Sequence, residues 1–423
     1  MDMEILLGDL PRRNASKFGS KEAIISEEGR WTFREFSSRI NCRANALLAA
    51  GVQKGDHVAT LFMNSAAALE VIFAVLKIGA AVVPLNFRLS AGEMSYLIRN
   101  AQASSLIASA EFALLIERLR PELPELKRCF SVSGVAPSGF LDLDHLMKAA
   151  GGGEPPVSVR GEDCAFIMYT AGTTGRPKGV VTVHNNWIWS MINVLVGGQI
   201  ETSHKHLTVY PVFHAAAFLT VFSVYFVGVT LVLLRKFDPQ AVLETIQAEK
   251  VNRMGFPPTV YNFLLQHPDF SRFDTRSVVN LGSGAEAMPP ATRKRIQEHF
   301  PQAGIFDTYG MTETCASITA LRPMDLGKKT TSVGKPLVNV EVGIVDEEDR
   351  FLPAGEVGEI VCRGPNLMVG YFQNPEATQR AVRQGWFHTG DMGKMDEEGY
   401  VYIVERKDDM IISGGGRISI PRK

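Results

Sequence analysis

The sequence predicts an α/β fold: two αβ-layered subdomains on mainly parallel sheets, followed by a small β-rich subdomain. Three observations carry that expectation. Short runs rich in Val, Ile and Leu alternate with stretches whose apolar residues recur at helical spacing. Gly, Pro and Ser gather between residues 135 and 162, including GGGEPP, as in a surface connection. After about residue 330 the alternation gives way to short strand-like runs separated by acidic turns. The chain has 423 residues, enough for two or three compact units, and its 45% apolar and 21% charged residues match an ordinary globular protein.

Taken in order, EAIIS (22–26) reads as a strand and EEGR (27–30) as a turn. Thr32 and Glu35 have the spacing of a capping box. Phe33, Phe36, Ile40 and Leu47 then recur on one helical face, and Gly51 ends the helix. A strand (HVATLF), a helix over 66–78 stopped by Gly79, and a strand (AVVPL) follow. Ser90 and Glu93 make a second capping box, and SSLIAS is the next strand. Beyond the connection, strands are expected near CAFIMY, HLTVY, TLVLL, VNRMGF, SVVNL and GIFDTY, with helices between them, one over 289–300. The late strands are LVNVEVGIV, EVGEIVCRG, FHTGDMGKMD and YVYIVERKD, separated by DEED, PAGE and DEEG. The expected divisions are αβ subdomains over about 1–150 and 160–330 and a β-rich subdomain over 331–407.

Several function classes fall away. The net charge is −1, from 44 basic and 45 acidic residues, which leaves no basic excess for a phosphate backbone, so nucleic acid is not expected as a partner. The five cysteines are odd in number and scattered, which argues against a disulfide framework or a cysteine zinc site and fits a reducing cytoplasm. His204 and His206 read as solvated loop residues. MDMEILLGDLPRRN is not a secretory signal. Residues 207–234 lack Asp, Glu, Lys and Arg, but Pro211, His214 and Gly228 interrupt them. They read as a buried helix over 215–226 and a buried strand over 229–234 rather than a membrane span.

The strongest chemical signal is YTAGTTGRPKGV, residues 169–180. An apolar strand runs into Thr170, Ala171, Gly172, Thr173, Thr174 and Gly175, with Lys178 close behind. Glycines let backbone N–H groups approach an anion, hydroxyls add donors and the lysine adds charge. No Walker A spacing is present. The string closely resembles the phosphate-binding loop of the adenylate-forming superfamily, whose pattern is [YF]TSG[ST]TGxPKG; it departs only at Ala171, where serine is usual.

Further segments resemble the same family in the same order. DTYGMTET (307–314) is similar to its YGxTE motif, where the resemblance implies Tyr309 stacked on adenine, Thr312 on phosphate and Glu313 on Mg²⁺. Aromatic faces suit purines, and a carboxylate suits Mg²⁺ shared with phosphate. GSGAEAM (282–288) resembles the adenine and acyl-pocket segment, which brings Gly284, Ala285 and Glu286 into the nucleotide set beside Asp307 and Thr308 of the preceding motif. The same segment fits GxGxxA between a strand and a helix, so a dinucleotide-binding turn with Asp307 as the ribose acid is the rival reading. GWFHTGD (385–391) and VERKDD (404–409) resemble the segments whose Asp391 and Arg406 hold the ribose, and a hairpin between them would return both to one place. VYPVFHAAAF resembles the PxFHxxG segment beside the acyl tunnel, with His214 in place and Ala217 where glycine is usual. NPEATQRAV (374–382) also resembles family sequence. Together the resemblance spans about residues 20–415.

It implies an acyl-CoA synthetase using ATP, Mg²⁺ and coenzyme A on a small carboxylic acid, fatty or aromatic. Thr173, Lys178, His214 and Glu313 would act in catalysis. Asp408 matches the hinge to a C-terminal domain carrying a further lysine. Fifteen residues follow Asp408 here, so residues 408–423 are expected to be a stub of that domain and the full reaction to be impaired. A non-catalytic nucleotide- or acyl-adenylate-binding remnant is the alternative from another class. A weak peripheral membrane contact and a homodimer stay open.

Overall fold

The computed structural model describes residues 4–170, 176–198, 200–325, 327, 329–406, 410–413 and 416–419. Among them the strands form two large mixed sheets, a smaller antiparallel sheet and an isolated hairpin, the α/β architecture expected. The eight-stranded sheet runs Gly370–Tyr371, Lys178–Val183, Cys164–Thr170, Ala81–Pro84, His57–Leu61, Ser105–Ser109, Arg128–Val132, Leu141–Asp142. It is parallel from Cys164–Thr170 onward and antiparallel at its other end. The nine-stranded sheet runs Lys335–Pro336, Thr319–Leu321, Gly304–Tyr309, Asn280–Ser283, Arg253–Gly255, Lys205–Thr208, Thr230–Leu233, Glu22–Ser26, Gly29–Thr32, with six parallel central strands and antiparallel edges.

The two sheets do not divide the chain at the connection over 135–162. Glu22–Ser26 pairs with Thr230–Leu233 in the nine-stranded sheet, and Cys164–Thr170 pairs with Ala81–Pro84 in the eight-stranded one. The expected boundary near residue 150 therefore separates segments of sequence but not sheets. The strand pairs across it are parallel and far apart in sequence, and no local turn chemistry announces them.

Both early capping boxes form: Thr32 and Ser90 accept the backbone N–H of Glu35 and Glu93, whose carboxylates reach back. Helices Phe33–Ala49, Ala66–Lys77, His184–Gly198 and Ala215–Val227 share one core with residues of both large sheets, among them Ile24, Leu231, Val82 and Phe166. Phe36, Phe73 and Tyr225, and Phe166, Trp187, Phe218 and Phe222, fill that layer with ring contacts. The apolar stretch over 207–234 is accordingly a strand, a buried helix and a strand of a globular core, and no described helix is long and apolar enough to cross a membrane. The opposite face of the nine-stranded sheet packs on helices Pro239–Glu249, Pro258–Leu265 and Pro290–His299. The small sheet is antiparallel, Glu341–Val345, Gly358–Arg363 and Trp386–Met395, the last pairing with both Val382–Arg383 and Val401–Arg406.

Candidate active site

A cavity of about 1040 Å³ opens where the carboxyl ends of the parallel strands, the hairpin Cys164–Thr170/Lys178–Val183 and the small sheet meet. Ligands of α/β proteins bind at such strand ends. Of the residues expected in the site, Thr170, Lys178, His214, Gly284, Ala285, Thr308, Thr312 and Glu313 line it.

Thr170 and Lys178 face each other in the antiparallel ladder, so the flanks of the expected phosphate loop are pinned together. Ala171, Gly172, Thr173, Thr174 and Gly175 lie outside the described residues, as does Asp408. Glu313 sits on the short turn Thr312–Thr314 after strand Gly304–Tyr309. Its carboxylate accepts the Tyr371 hydroxyl at 3.0 Å and the Thr170 hydroxyl at 3.4 Å, and its backbone carbonyl accepts the Met368 N–H at 2.8 Å. Lys178 Nζ stands 5.1 Å from the Tyr371 ring centroid. Burial and the Glu313 charge hold the Tyr371 phenol protonated far above its ordinary range. Tyr371 was not legible as a site residue: it is a lone tyrosine that reaches Glu313 because Gly370–Tyr371 adds an edge strand to Lys178–Val183.

Among the described residues no three metal-ligating side chains cluster. A lone buried carboxylate ringed by hydroxyls suits Mg²⁺, which takes one or two carboxylates and completes its shell with phosphate and water.

On the other flank, Tyr309 donates its hydroxyl to Asp391 Oδ2 at 2.7 Å. Burial, with the Asp391 charge, raises the Tyr309 pKa well above that of a free phenol. Asp391 and Arg406 are register partners across the hairpin of the small sheet, as the spacing anticipated. Thr389 and Gly390, just before Asp391, line the cavity.

Two expected residues turn elsewhere. Glu286 is exposed and accepts the Thr259 hydroxyl at 2.6 Å. Asp307 makes a buried ion pair with Arg293 at 2.8 Å; burial raises its pKa against the pull of that guanidinium. Asp307 is thus engaged by Arg293 and does not line the cavity, where a dinucleotide-binding turn over 282–287 would need its ribose acid. Ala285 holds a left-handed φ of 67° at the cavity wall.

His214 is the N-cap of helix Ala215–Val227, and its Nδ1 accepts the Ala216 N–H at 3.2 Å. The protein around the ring lowers its pKa. A neutral imidazole accepting at Nδ1 carries its proton on Nε2, which makes that nitrogen a donor.

His206 departs from its reading as a solvated loop residue. It lies on strand Lys205–Thr208, lines the cavity, and both ring nitrogens are buried.

The chain matches the AMP-binding enzyme family over residues 11–372. It is 36% identical over 413 residues to a feruloyl-CoA synthase of an Amycolatopsis species, covering 97% of this chain and 81% of that one. It is 33% identical over 414 residues to a long-chain-fatty-acid–CoA ligase of Mycobacterium tuberculosis, with coverage of 97% and 81%. Among solved structures it resembles an anthranilate CoA ligase in complex with anthranoyl-AMP, with a TM-score of 0.93, 29% identity, and 99% of this chain and 81% of that chain covered. The chain belongs to the AMP-binding enzyme family, among its acyl-CoA synthetases.

Proposed function

We propose that this cavity joins a fatty or aromatic carboxylic acid to coenzyme A in two ATP-driven steps. In the first, a carboxylate oxygen attacks the α-phosphorus of ATP, the bond to the bridging oxygen breaks, and pyrophosphate leaves with that electron pair. In the second, the sulfur of coenzyme A attacks the acyl carbon, the bond to AMP breaks, and the thiol proton passes to solvent. The observation that carries this reading is the placement of Thr170, Lys178 and Glu313 on one flank of a single cavity and the Tyr309–Asp391 pair beside the other.

Thr170, Lys178 and Thr312, with the loop 171–175, hold the phosphates. Gly284, Ala285, Thr308 and Tyr309 bound the adenine, and Asp391 with Arg406 takes the ribose hydroxyls. Glu313 holds Mg²⁺, which when bound offsets charge on the phosphates. The work of these groups is alignment and charge stabilisation around a crowded anion. His214, presenting Nε2–H, donates to the acyl carbonyl oxygen rather than acting as a base for the thiol. Asp408 is the hinge of this scheme. Five cysteines without disulfides fit a cytoplasmic setting.

The test is acid-dependent exchange of labelled pyrophosphate into ATP over a panel of fatty and aromatic acids, with acyl-CoA followed by mass spectrometry. Exchange with at least one acid is expected. ATP binding with no exchange for any acid would favour the non-catalytic nucleotide-binding alternative.

A further inference from the structure

The acyl end of the cavity has a polar floor. His206, Arg253 and Asn280 are register neighbours on three adjacent parallel strands. The intervening Leu207, Met254 and Leu281 pack into the core beneath the sheet, so by strand alternation the polar three share the upper face; all three line the cavity. Two residues further along that face come Gly255 and Gly282, also in the lining. They bring no side chain, so bare backbone is open to a flat group lying on it. Four residues separate Asn280 from Gly284, about 13 Å at ~3.3 Å per residue. The polar row therefore lies an acyl group's length from the nucleotide wall.

Helix Ala215–Val227 roofs this end with Leu219 and Ser223, one turn apart. Ser223 is 4% exposed, and its hydroxyl has no hydrogen-bond partner among the described residues; neither have Nδ1 and Nε2 of His206. An unmatched buried polar group is costly, and here three such atoms surround one end of a ligand cavity. An alkyl tail would leave them unmatched.

Resting on the acyl-adenylate reading above, we infer that the preferred acid is a flat, aromatic one bearing an uncharged hydroxyl at the end far from its carboxylate, received by His206, Ser223 and Asn280. Burial, with the nearby Arg253 guanidinium, pushes the His206 pKa down to about 3. The ring is then neutral at physiological pH and offers one donor and one acceptor, as a hydroxyl does. Arg253 itself is anchored through Nη1 on the Gly198 carbonyl at 2.9 Å.

The test uses two non-hydrolysable adenylates, cinnamoyl-sulfamoyl-adenosine and its 4-hydroxycinnamoyl counterpart, titrated by calorimetry into the 423-residue chain. Both are expected to bind, the hydroxylated one about tenfold tighter, the factor that one net hydrogen bond supplies. In Ser223→Ala and in His206→Phe the ratio of the two affinities should fall toward unity. Equal binding of the pair to the unmodified chain overturns the inference, as does a preference that survives in both variants. If neither compound binds, the acyl-adenylate reading itself fails, and this inference falls with it.

Discussion

Asp391 combines two tasks that one substitution can separate. Its carboxylate accepts the Tyr309 hydroxyl at 2.7 Å, and in the proposed site it also takes ribose hydroxyls. Asp391→Asn keeps a carbonyl for Tyr309 and removes the charge. Charge-assisted hydrogen bonds are worth about 1.5–3 kcal/mol, so ATP affinity should fall roughly ten- to a hundredfold with little change in stability. Calorimetry with ATP checks this, and unchanged affinity would remove Asp391 from the ribose site. Glu313 is separable in the same manner. Glu313→Gln preserves an acceptor for the Tyr371 hydroxyl, which lies 3.0 Å away, but lacks the charge that a hard cation needs. The dependence of ATP affinity on Mg²⁺ should largely vanish while metal-free binding persists. A full metal effect in the variant would mean that another carboxylate is the ligand. These residues could be found in the sequence because each sits in a short contiguous motif. His206, Ser223 and Asn280 sit in none: what joins them is register across strands and one helix face.

Elements were legible where the signal is local. The capping boxes at Thr32 and Ser90 and the hairpin that returns Arg406 to Asp391 are each written within one short stretch of sequence. Less legible is how elements are tied together, and Gly334 shows why. Its φ is +92°, and a Cβ there would lie 1.9 Å from the carbonyl carbon of Ala320. Its carbonyl accepts the Val401 N–H at 2.9 Å, and the N–H of Val333 bonds back to the Val401 carbonyl at 2.9 Å. This crossing joins the edge of the nine-stranded sheet to the hairpin that carries Asp391. Gly334→Ala must strain the backbone and open the crossing together. We expect a loss of more than ~2 kcal/mol in denaturant unfolding, accompanied by weaker ATP binding. A variant with the original midpoint would show that the crossing has slack.

At the scale of the whole molecule, the alternation of strands and helices gave the class but not the interleaving. Glu22–Ser26, with its neighbour Gly29–Thr32, joins a sheet whose other strands begin near residue 205, and Cys164–Thr170 joins one otherwise built largely before residue 142. Buried parallel strands all read as similar apolar runs, so partner choice is settled by packing rather than by any local residue. The shared helical layer that results encloses two histidines. His184 is fully buried, and its Nδ1 accepts the Leu7 N–H at 3.2 Å, tying the beginning of the described chain to helix His184–Gly198. Burial pushes its pKa down to about 4, and that of His206 to about 3. Both lie below the ordinary histidine value near ~6.5. Between about pH 6.5 and 4 the unfolded chain therefore binds protons that these two native imidazoles refuse, and His204 and His214, whose pKa values burial also lowers, act in the same direction. Stability then rises with pH across this window and is lost as pH falls, by roughly 1.4 kcal/mol per pH unit for each proton. Carboxylates held down by partners act lower. Asp396, against Lys329 and kept near 2, adds stability that is present above its unfolded value and lost only as pH falls toward its folded one. Asp307, whose pKa burial raises, acts with the opposite sign, so the histidine contribution is read from the difference between the chain and its histidine variant. Urea midpoints taken at intervals from pH 7 to 4.5 should decline steadily, and His206→Asn should make the slope measurably shallower. A flat profile above pH 4.5 would mean that the native chain accommodates both imidazolium ions, against the burial described for them.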